Sequence, residues 1–380
     1  MKVVVALDKF KGSLTAPRAC EIVRNALLSV HLDWSVVVKP MADGGDGTDE
    51  ALLAALGGEW IARSVMGPLP DMTVRARYAW LSIGDAAVIA MANASGLVLL
   101  RREQRNPLRA TTYGTGELIR AAVERGAKRV WLAVGGSATV DGGVGAAMAL
   151  GWRFFDAQRN PIALGGGELE RIVRIEPPTD LKLPVVEVLC DVDNPLHGLH
   201  GAAHVFGPQK GATPAMVEQL DVGLRHLAEL VKERLDKDVA DVPGAGAAGG
   251  LAAGAMAFMN AQLVSGAETV IHASGLEAEL GDADWVITGE GRFDEQSLRG
   301  KVVSGIARIA TRHGVKVGVL AGSVQVPEEV CRREGIEFAL ATMKPGMQLD
   351  DAMARAEELL ASATRELAGR LLEGRAPARP

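Results

Sequence analysis

The chain repeats one local arrangement, in which a short apolar run ends in a loop rich in glycine, hydroxyl and acidic residues. The first copy joins Lys2–Leu7 to the loop Asp8–Ser13, after which Thr15 and Pro17 predict the start of a helix. The other copies are Ser35–Lys39 before Asp43–Thr48, Arg129–Val134 before Gly135–Gly143, Ala283–Thr288 before Gly289–Asp294, and Lys316–Leu320 before Ala321–Ser323. In an open α/β sheet such loops follow the carboxyl ends of the strands, where ligands bind. The repeats therefore predict an α/β protein with a ligand site at that edge.

The order of these runs also predicts two domains. Residues 1–60 and about 280–341 alternate strand and helix, a pattern typical of a parallel sheet with helices on both faces. Between them, three short runs separated by turns predict an antiparallel meander: Trp60–Met66, Val74–Leu81 and Ala86–Met91. We therefore expect residues 61–275 to form a domain inserted into another that comprises residues 1–60 plus 276–380. Helical spacing over Asp350–Leu372 predicts a packing helix, followed by a frayed tail at 375–380.

Composition limits the kinds of partner. The 380 residues are 48% apolar and 23% charged, enough for a substantial core. The net charge of −6 and the lack of a basic tract argue against nucleic acid as a partner. No apolar stretch approaches the roughly 20 residues that span a bilayer, and no signal-peptide pattern is present, so we expect no membrane partner and a cytoplasmic protein. Three widely separated cysteines suggest neither a disulfide framework nor a zinc site.

The loop Gly135-Gly-Ser-Ala-Thr-Val-Asp-Gly-Gly143 has the composition of an anion site. Glycines let backbone N–H groups turn toward a ligand, and the hydroxyls of Ser137 and Thr139 can bond phosphate or carboxylate oxygens. A helix predicted over Gly142–Leu150 would add the positive end of its dipole. The alternative is an ordinary glycine turn.

Two common nucleotide motifs can be tested directly. Gly300-Lys301 is followed by Val302 and lacks the first glycine of a P-loop. Gly244-Ala-Gly246-Ala-Ala-Gly249 matches the dinucleotide pattern Gly-x-Gly-x-x-Gly, but the preceding residues 239–243 are a poor strand that ends in proline. Close helix packing or a phosphate turn is therefore favoured over dinucleotide binding.

The sequence also contains candidate residues for metal binding and for nucleophilic catalysis. Asp191 and Asp193 follow the apolar run Val185–Leu189, a position from which carboxylates can hold Mg²⁺; a turn capped by Asp and Asn is the alternative. Three histidines between residues 197 and 204 are separated by glycines, which favours surface or packing roles. The segment around Ser137 lacks the last glycine of a nucleophile elbow, so the sequence does not support an α/β-hydrolase.

Seven blocks of sequence, in order over almost the whole chain, point to one family. They are Asp8–Leu14, Met41–Thr48, Gly135–Thr139 with Asp141–Gly143, Asp191–Leu196, Val205–Ala212, Gly244–Gly250 and Gly289–Asp294. Together they closely resemble the bacterial class I glycerate kinases. Ala90, Val140 and Asp46 depart from residues common in the family, and the position of Lys9 varies there, which makes Lys11 the better basic candidate.

The resemblance implies ATP- and Mg²⁺-dependent transfer of the γ-phosphoryl group to D-glycerate, in many members giving 2-phospho-D-glycerate. It also implies a flavodoxin-like, doubly wound parallel-sheet domain interrupted by an inserted α/β domain with a mixed sheet resembling the restriction-endonuclease fold. Phosphorylation at C3 is the nearest alternative. An NAD(P)-dependent hydroxy-acid oxidoreductase and a non-catalytic metabolite-binding protein are hypotheses from other classes. A homo-oligomer is left open.

Phosphoryl transfer needs charge neutralisation and an aligned hydroxyl. The predicted catalytic residues are the cations Lys11 and Arg292 and the proton acceptors Asp294 or Asp43. The predicted substrate or phosphate ligands are Gly135, Gly136, Ser137, Thr139, Asp141, Lys210, Gly244, Gly246 and Gly289. The predicted Mg²⁺ ligands are Asp191 and Asp193, with Glu290 in reserve and Asp141 as a metal or hydroxyl partner. We expect the Gly135–Gly143 loop to face the Asp8, Asp43 and Gly289 loops across a cleft.

Overall fold

The structure, a computed structural model, describes residues 1–298 and 301–373. Its strands are β1 Lys2–Leu7, β2 Ser35–Val38, β3 Glu59–Met66, β4 Thr73–Leu81, β5 Ala86–Ala90, β6 Arg129–Ala133, β7 Arg153–Phe155, β8 Arg174–Glu176, β9 Val185–Leu189, β10 Gln262–Val264, β11 Trp285–Gly289, β12 Arg292–Phe293, β13 Lys316–Ala321, β14 Ser323–Val324 and β15 Ile336–Ala341. Its α-helices are α1 Ala16–Val30, α2 Thr48–Leu56, α3 Ala92–Ser95, α4 Tyr113–Glu124, α5 Val144–Ala149, α6 Ala202–Phe206, α7 Pro214–Leu235, α8 Ala247–Met259, α9 Gly266–Ala273, α10 Leu276–Leu280, α11 Val302–His313, α12 Glu328–Arg333, α13 Leu349–Ala354 and α14 Ala356–Glu373.

The chain divides into two units. Unit 1 comprises residues 1–43, 50–56 and the chain from Ala267 onwards, and unit 2 comprises residues 44–49 and 57–266. The domain limits expected from the sequence, after residues 60 and 275, stay a prediction. Among the described residues, no helix is both long and apolar enough to cross a membrane.

Unit 1 is built on a five-stranded parallel sheet in the order β15-β13-β11-β1-β2. Numbered along this unit alone, the order is 2-1-3-4-5, which is the flavodoxin-like arrangement. Residues Val3 to Leu7 of β1 are fully buried, as expected for a central parallel strand covered on both faces. The order reverses between β1 and β11, so the ligand crevice of this fold class lies at their carboxyl ends.

Helices pack against this sheet as the sequence predicts, with one correction. Thr15 caps α1 through its side chain, which accepts a hydrogen bond from Arg18 N, and Pro17 lies in the first turn. α1 and α14 share one apolar cluster with β1 and β11. The single C-terminal helix expected over 350–372 is wrong: the helix is interrupted at Arg355, whose φ of −109° and ψ of 19° are not helical. The expected tail at 375–380 lies outside the described residues.

Unit 2 contains a six-stranded mixed sheet in the order β10-β9-β6-β5-β4-β3. The predicted meander is confirmed, because β3, β4 and β5 pair in antiparallel fashion. β5, β6, β9 and β10 then continue in parallel. The carboxyl ends of β6 and β9 therefore bring the loops that begin at Val134 and Cys190 to the same edge of the sheet.

Candidate functional site

The loop from Gly135 to Gly143, here called the cradle, follows β6 as predicted. Gly136, Gly142 and Gly143 have φ values of 73°, 61° and 74°, a region that favours glycine. A Cβ at Gly135 would lie only 2.6 Å from the backbone N of Asp46. The glycines thus serve two purposes, since they permit the turns of the loop and let the Gly44–Asp49 segment approach its backbone.

A buried lysine lies behind the cradle. Lys210 is only 2% exposed, and its Nζ donates hydrogen bonds of 2.7 Å to both Ser137 Oγ and Thr139 O. Burial lowers the pKa of Lys210 to about 7, against the opposing effect of Asp141. When the ammonium donates to Ser137 Oγ, the hydroxyl hydrogen of Ser137 is left to point toward an incoming oxygen.

The two cradle hydroxyls differ in exposure and in hydrogen bonding. Ser137 is 8% exposed, whereas Thr139 is completely buried. Thr139 Oγ1 lies 3.5 Å from Ala248 O, to which it donates. Its geometry favours a role in joining the cradle to α8 over the contact with ligand oxygens expected from the sequence.

The carboxylate of Asp141 accepts hydrogen bonds from neighbouring residues of the protein. One carboxylate oxygen, Oδ2, accepts hydrogen bonds from Thr112 N at 2.7 Å, Thr112 Oγ1 at 2.9 Å and Gly145 N at 3.3 Å. The other, Oδ1, accepts from Gly143 N at 3.2 Å. Burial raises the pKa of Asp141, although these bonds oppose the shift. Through these bonds the carboxylate holds the start of α5 in place, and the metal or hydroxyl contact expected of Asp141 stays a prediction.

The Gly244–Gly250 segment packs against the cradle. Ala248, Gly249 and Gly250 adopt left-handed conformations, with φ values of 54°, 68° and 85°. A Cβ at Gly249 would lie 1.9 Å from Thr139 O, and one at Gly246 would lie 2.3 Å from Pro195 O. The segment follows a loop after α7 instead of a strand, so it lacks the strand–turn–helix context of a dinucleotide site. These contacts favour close packing over a phosphate-binding role for Gly244 and Gly246.

This contact gives a stability prediction. We expect Gly249→Ala to lower the free energy of unfolding by about 3 kcal/mol or more, because its methyl group would overlap a backbone oxygen in a strained conformation. Gly84→Ala is the matched control, since Gly84 has a φ of 76° with no atom within 4 Å of the added Cβ. Urea unfolding should show a small loss of about 1 kcal/mol for the control. Equal losses in both variants would contradict the packing role.

The predicted magnesium carboxylates of unit 2 follow β9. Asp191 Oδ1 accepts a 3.0 Å hydrogen bond from Gly266 N, and Asp193 is exposed. Within residues 1–298 and 301–373, no three or more His, Cys, Asp or Glu side chains are arranged to hold a metal. Mg²⁺ commonly binds through one or two carboxylates together with substrate phosphates. Asp191 and Asp193 suit this mode of binding better than a site in which the protein supplies every ligand.

The loops after β1, β2 and β11 bring charged side chains together in unit 1. Lys9 Nζ lies 3.6 Å from Asp43 Oδ1 and 4.0 Å from Asp8 Oδ1. Lys11, the basic candidate chosen from the sequence, is exposed. Burial raises the pKa of Glu290, with further contributions from Asp43 and Asp294. Geometry therefore favours Lys9 over Lys11 as the cation that serves this group of carboxylates.

Arg292 and Asp294 form a pair. Arg292 Nε lies 3.1 Å from Asp294 Oδ2, and its Nη2 donates a 2.9 Å hydrogen bond to Gln325 Oε1. Asp294 Oδ1 also accepts from Gln296 N at 2.9 Å. Asp43 is likewise paired with a cation, Lys9, so ion pairing does not distinguish Asp43 from Asp294 as the proton acceptor.

Asp8 is a further candidate for a functional side chain, and it was not among the residues predicted from the sequence. It is 6% exposed, and burial raises its pKa to about 7, with Asp43 and Glu290 adding to the rise and Lys9 opposing it. Its position directly after the central strand, beside the reversal of strand order, was the available signal.

Asp8 gives a pH prediction. A carboxyl whose pKa rises on folding from 3.8 to about 7 contributes stability that is full below pH 4 and is lost as the pH rises through 7. We expect Asp8→Asn to abolish this loss, so that its advantage over the wild type grows to about 2–4 kcal/mol at pH 8. Urea unfolding of the ligand-free protein from pH 4 to 8 measures it, with Asp33→Asn at an exposed site as control. Parallel pH profiles for Asp8→Asn and wild type would refute the assignment.

Comparison with known proteins agrees with this architecture. The model of the glycerate kinase family matches residues 3–372. The chain is 45% identical to a glycerate kinase of Halalkalibacterium halodurans, covering 96% of this chain and 97% of the relative, and 43% identical to glycerate 2-kinase of Escherichia coli K12, covering 98% and 99%. A crystal structure from Salmonella typhimurium LT2, assigned provisionally as a glycerate kinase 2, matches with a TM-score of 0.86 and 43% identity over 98% of this chain and 99% of that one. The chain therefore belongs to the glycerate kinase family, whose members are phosphotransferases with an alcohol group as acceptor.

Proposed function

We propose that this kinase transfers the γ-phosphoryl group of ATP to the 2-hydroxyl of D-glycerate and releases ADP and 2-phospho-D-glycerate. The main support is the cradle, in which a buried ammonium holds Ser137 in a glycine-rich loop at the carboxyl end of β6. Such a loop is suited to oxyanions, which both substrates carry. The relative from Escherichia coli, named for the 2-position, supports the choice of C2 over C3.

Within unit 2, the proposed ligand contacts come from the exposed part of the cradle. Ser137 Oγ and the backbone of Gly135 and Gly136 would bind oxygens of glycerate or of the transferred phosphoryl group. Lys210 is too deeply buried for broad contact with a substrate, and it would act mainly through the orientation of Ser137.

Within unit 1, the proposed tasks are charge neutralisation and proton transfer. Lys9 and Arg292, with Lys11 as a further cation, would offset the negative charge of the phosphates. Asp43 or Asp294 would accept the proton of the acceptor hydroxyl as its oxygen attacks the γ-phosphorus. Gly289, with a φ of 155°, lets β11 turn beside Leu320, whose carbonyl oxygen would lie 1.7 Å from a Cβ at that position.

Mg²⁺ is proposed as the second cofactor. Asp191 and Asp193 of unit 2, or Glu290 of unit 1, would hold it through one or two carboxylate oxygens, with the phosphates of ATP completing the coordination. When bound, the ion would neutralise charge on the transferring phosphoryl group.

The decisive test is ADP release from ATP in the presence of Mg²⁺ across a panel of small hydroxy acids, with identification of the product by NMR. We expect turnover with D-glycerate and a phosphorus coupling to the proton at C2. Coupling to the C3 protons would instead establish a 3-kinase. Lack of ADP release with D-glycerate would reject the proposal, and omission of Mg²⁺ tests the metal separately.

A further inference from the structure

An arginine beside the cradle has a buried donor without an acceptor. The Nε atom of Arg105 is buried and has no hydrogen-bond partner. Within residues 1–298 and 301–373, no hydrogen bond or ion pair joins the Arg105 side chain to another residue. A buried donor left in this state is costly, and in a native protein it calls for an explanation, such as a bound water or ion or a role in catalysis.

Backbone contacts place Arg105 near the cradle. The segment that leads to it runs along the cradle, since Leu97 N donates to Gly136 O at 2.8 Å and Ala138 N donates to Ser95 O at 2.9 Å. Leu100 and Ala138 also share a small apolar cluster. At the end of this segment, the backbone O of Arg105 would lie 2.7 Å from a Cβ at Gly211, the residue after Lys210.

The chemistry of the guanidinium narrows the ligand to an anion. Arginine stays protonated at all working pH values, and the edge formed by Nε and one terminal nitrogen matches the two oxygens of a carboxylate. The neighbouring cation, Lys210, already donates to Ser137 and Thr139. A single guanidinium with an unsatisfied donor suits the single charge and planar oxygens of a carboxylate better than the several charges of a triphosphate.

We propose that Arg105 binds the carboxylate of the acceptor substrate and thereby sets the preference of the enzyme for hydroxy acids. This inference rests on the proposed function, in which D-glycerate is that acceptor. Arg105 would bind the carboxylate. Ser137, oriented by Lys210, would contact another oxygen of glycerate or of the transferred phosphoryl group.

The test compares Arg105→Met and Arg105→Lys with the wild type in steady-state kinetics. We expect Arg105→Met to raise the KM for D-glycerate by roughly 30–100-fold, because a charge-assisted bidentate contact is lost, while the KM for ATP changes less than about twofold. Arg105→Lys should lie between them, since lysine keeps the charge without the planar fork. The preference for D-glycerate over its methyl ester should shrink by a similar factor in Arg105→Met.

Two controls separate recognition from structure. Arg102→Met removes an exposed arginine of the same segment and should leave both KM values unchanged. Arg105→Met should keep or raise the Tm of the ligand-free protein, because an unsatisfied buried donor is removed, and D-glycerate should raise the Tm of the wild type but not of this variant.

Each remaining outcome has one meaning. A wild type that releases no ADP with D-glycerate would reject the proposed function. An active wild type with an unchanged KM for D-glycerate in Arg105→Met would reject only the role of Arg105. A rise confined to the KM for ATP would assign Arg105 to a nucleotide phosphate, and a parallel fall of Tm, kcat and affinity for both substrates would make it a structural residue; either result overturns the proposal.

Discussion

Lys210→Met is expected to lower kcat/KM for D-glycerate by about 1,000-fold. Methionine has similar length but cannot donate the two 2.7 Å hydrogen bonds that hold Ser137 Oγ and Thr139 O. Ser137 would then lose its fixed orientation, and loss of one preorganised donor toward developing charge commonly costs 10²–10³ in rate. Loss of the buried positive charge adds to this effect. Steady-state kinetics at pH 6.5, where the ammonium of Lys210 is populated, measures the fall.

The matched control is Lys237→Met, also in unit 2. Burial lowers the pKa of Lys237 as well, and its Nζ donates to Met256 O at 3.1 Å and to Ala257 O at 2.8 Å near the end of α8. This variant should lose stability but keep its activity, because these carbonyls lie outside the cradle. Near-normal turnover in Lys210→Met, or an equal loss in both variants, would show that the cradle does not depend on its lysine.

Arg292→Ala is expected to lower kcat by 10³-fold or more. An arginine that neutralises charge on a transferring phosphoryl group commonly contributes roughly 10³–10⁵ in rate. The Arg292 side chain is 64% exposed and forms an ion pair with Asp294, an arrangement that contributes little to folding. The variant should therefore unfold at nearly the same urea concentration as the wild type while losing most of its turnover.

Arg308→Ala provides the comparison in unit 1. The Arg308 side chain is 62% exposed, close to the exposure of Arg292, and it too pairs with a carboxylate, that of Glu268. Its turnover should stay within about twofold of the wild type. If Arg292→Ala behaved like Arg308→Ala, Arg292 would be an ordinary surface cation and the charge neutralisation in unit 1 would have to come from the lysines.

Local sequence patterns predicted the central strands of both sheets because those strands have a strong local signal, whereas the three-residue strands β7, β8 and β10 were not predicted. The apolar run Lys2–Leu7 is β1 without a residue of error, and Val185–Leu189 is β9. The loops that follow were placed correctly for the same reason. Alternation of strand and helix also predicted the parallel sheet of unit 1, since a parallel connection needs a crossover of that length.

The roles of individual side chains were harder to predict from the sequence, because they depend on contacts between distant parts of the chain. The sequence near Thr139 gives no sign that its hydroxyl donates a hydrogen bond to the backbone oxygen of Ala248, more than a hundred residues later. Lys9 and Lys11 differ by only two residues, yet only the folded loop shows which one lies beside Asp43. Arg105 carries no local signal at all, because its distinguishing property is the lack of an acceptor around a buried nitrogen.

The position of β1 in its sheet has a consequence for synthesis of the protein. β1 is flanked by β2 and β11, and β11 follows residues 57–266 of unit 2 in the chain. At roughly 5–20 residues per second, a ribosome needs on the order of 10–40 s to make that stretch. Throughout this interval the nascent β1 has an unpaired edge and apolar residues without their final cover. The central strand of unit 1 is thus made long before its neighbour β11, and we expect the growing chain to be exposed to aggregation during the interval before β11 emerges.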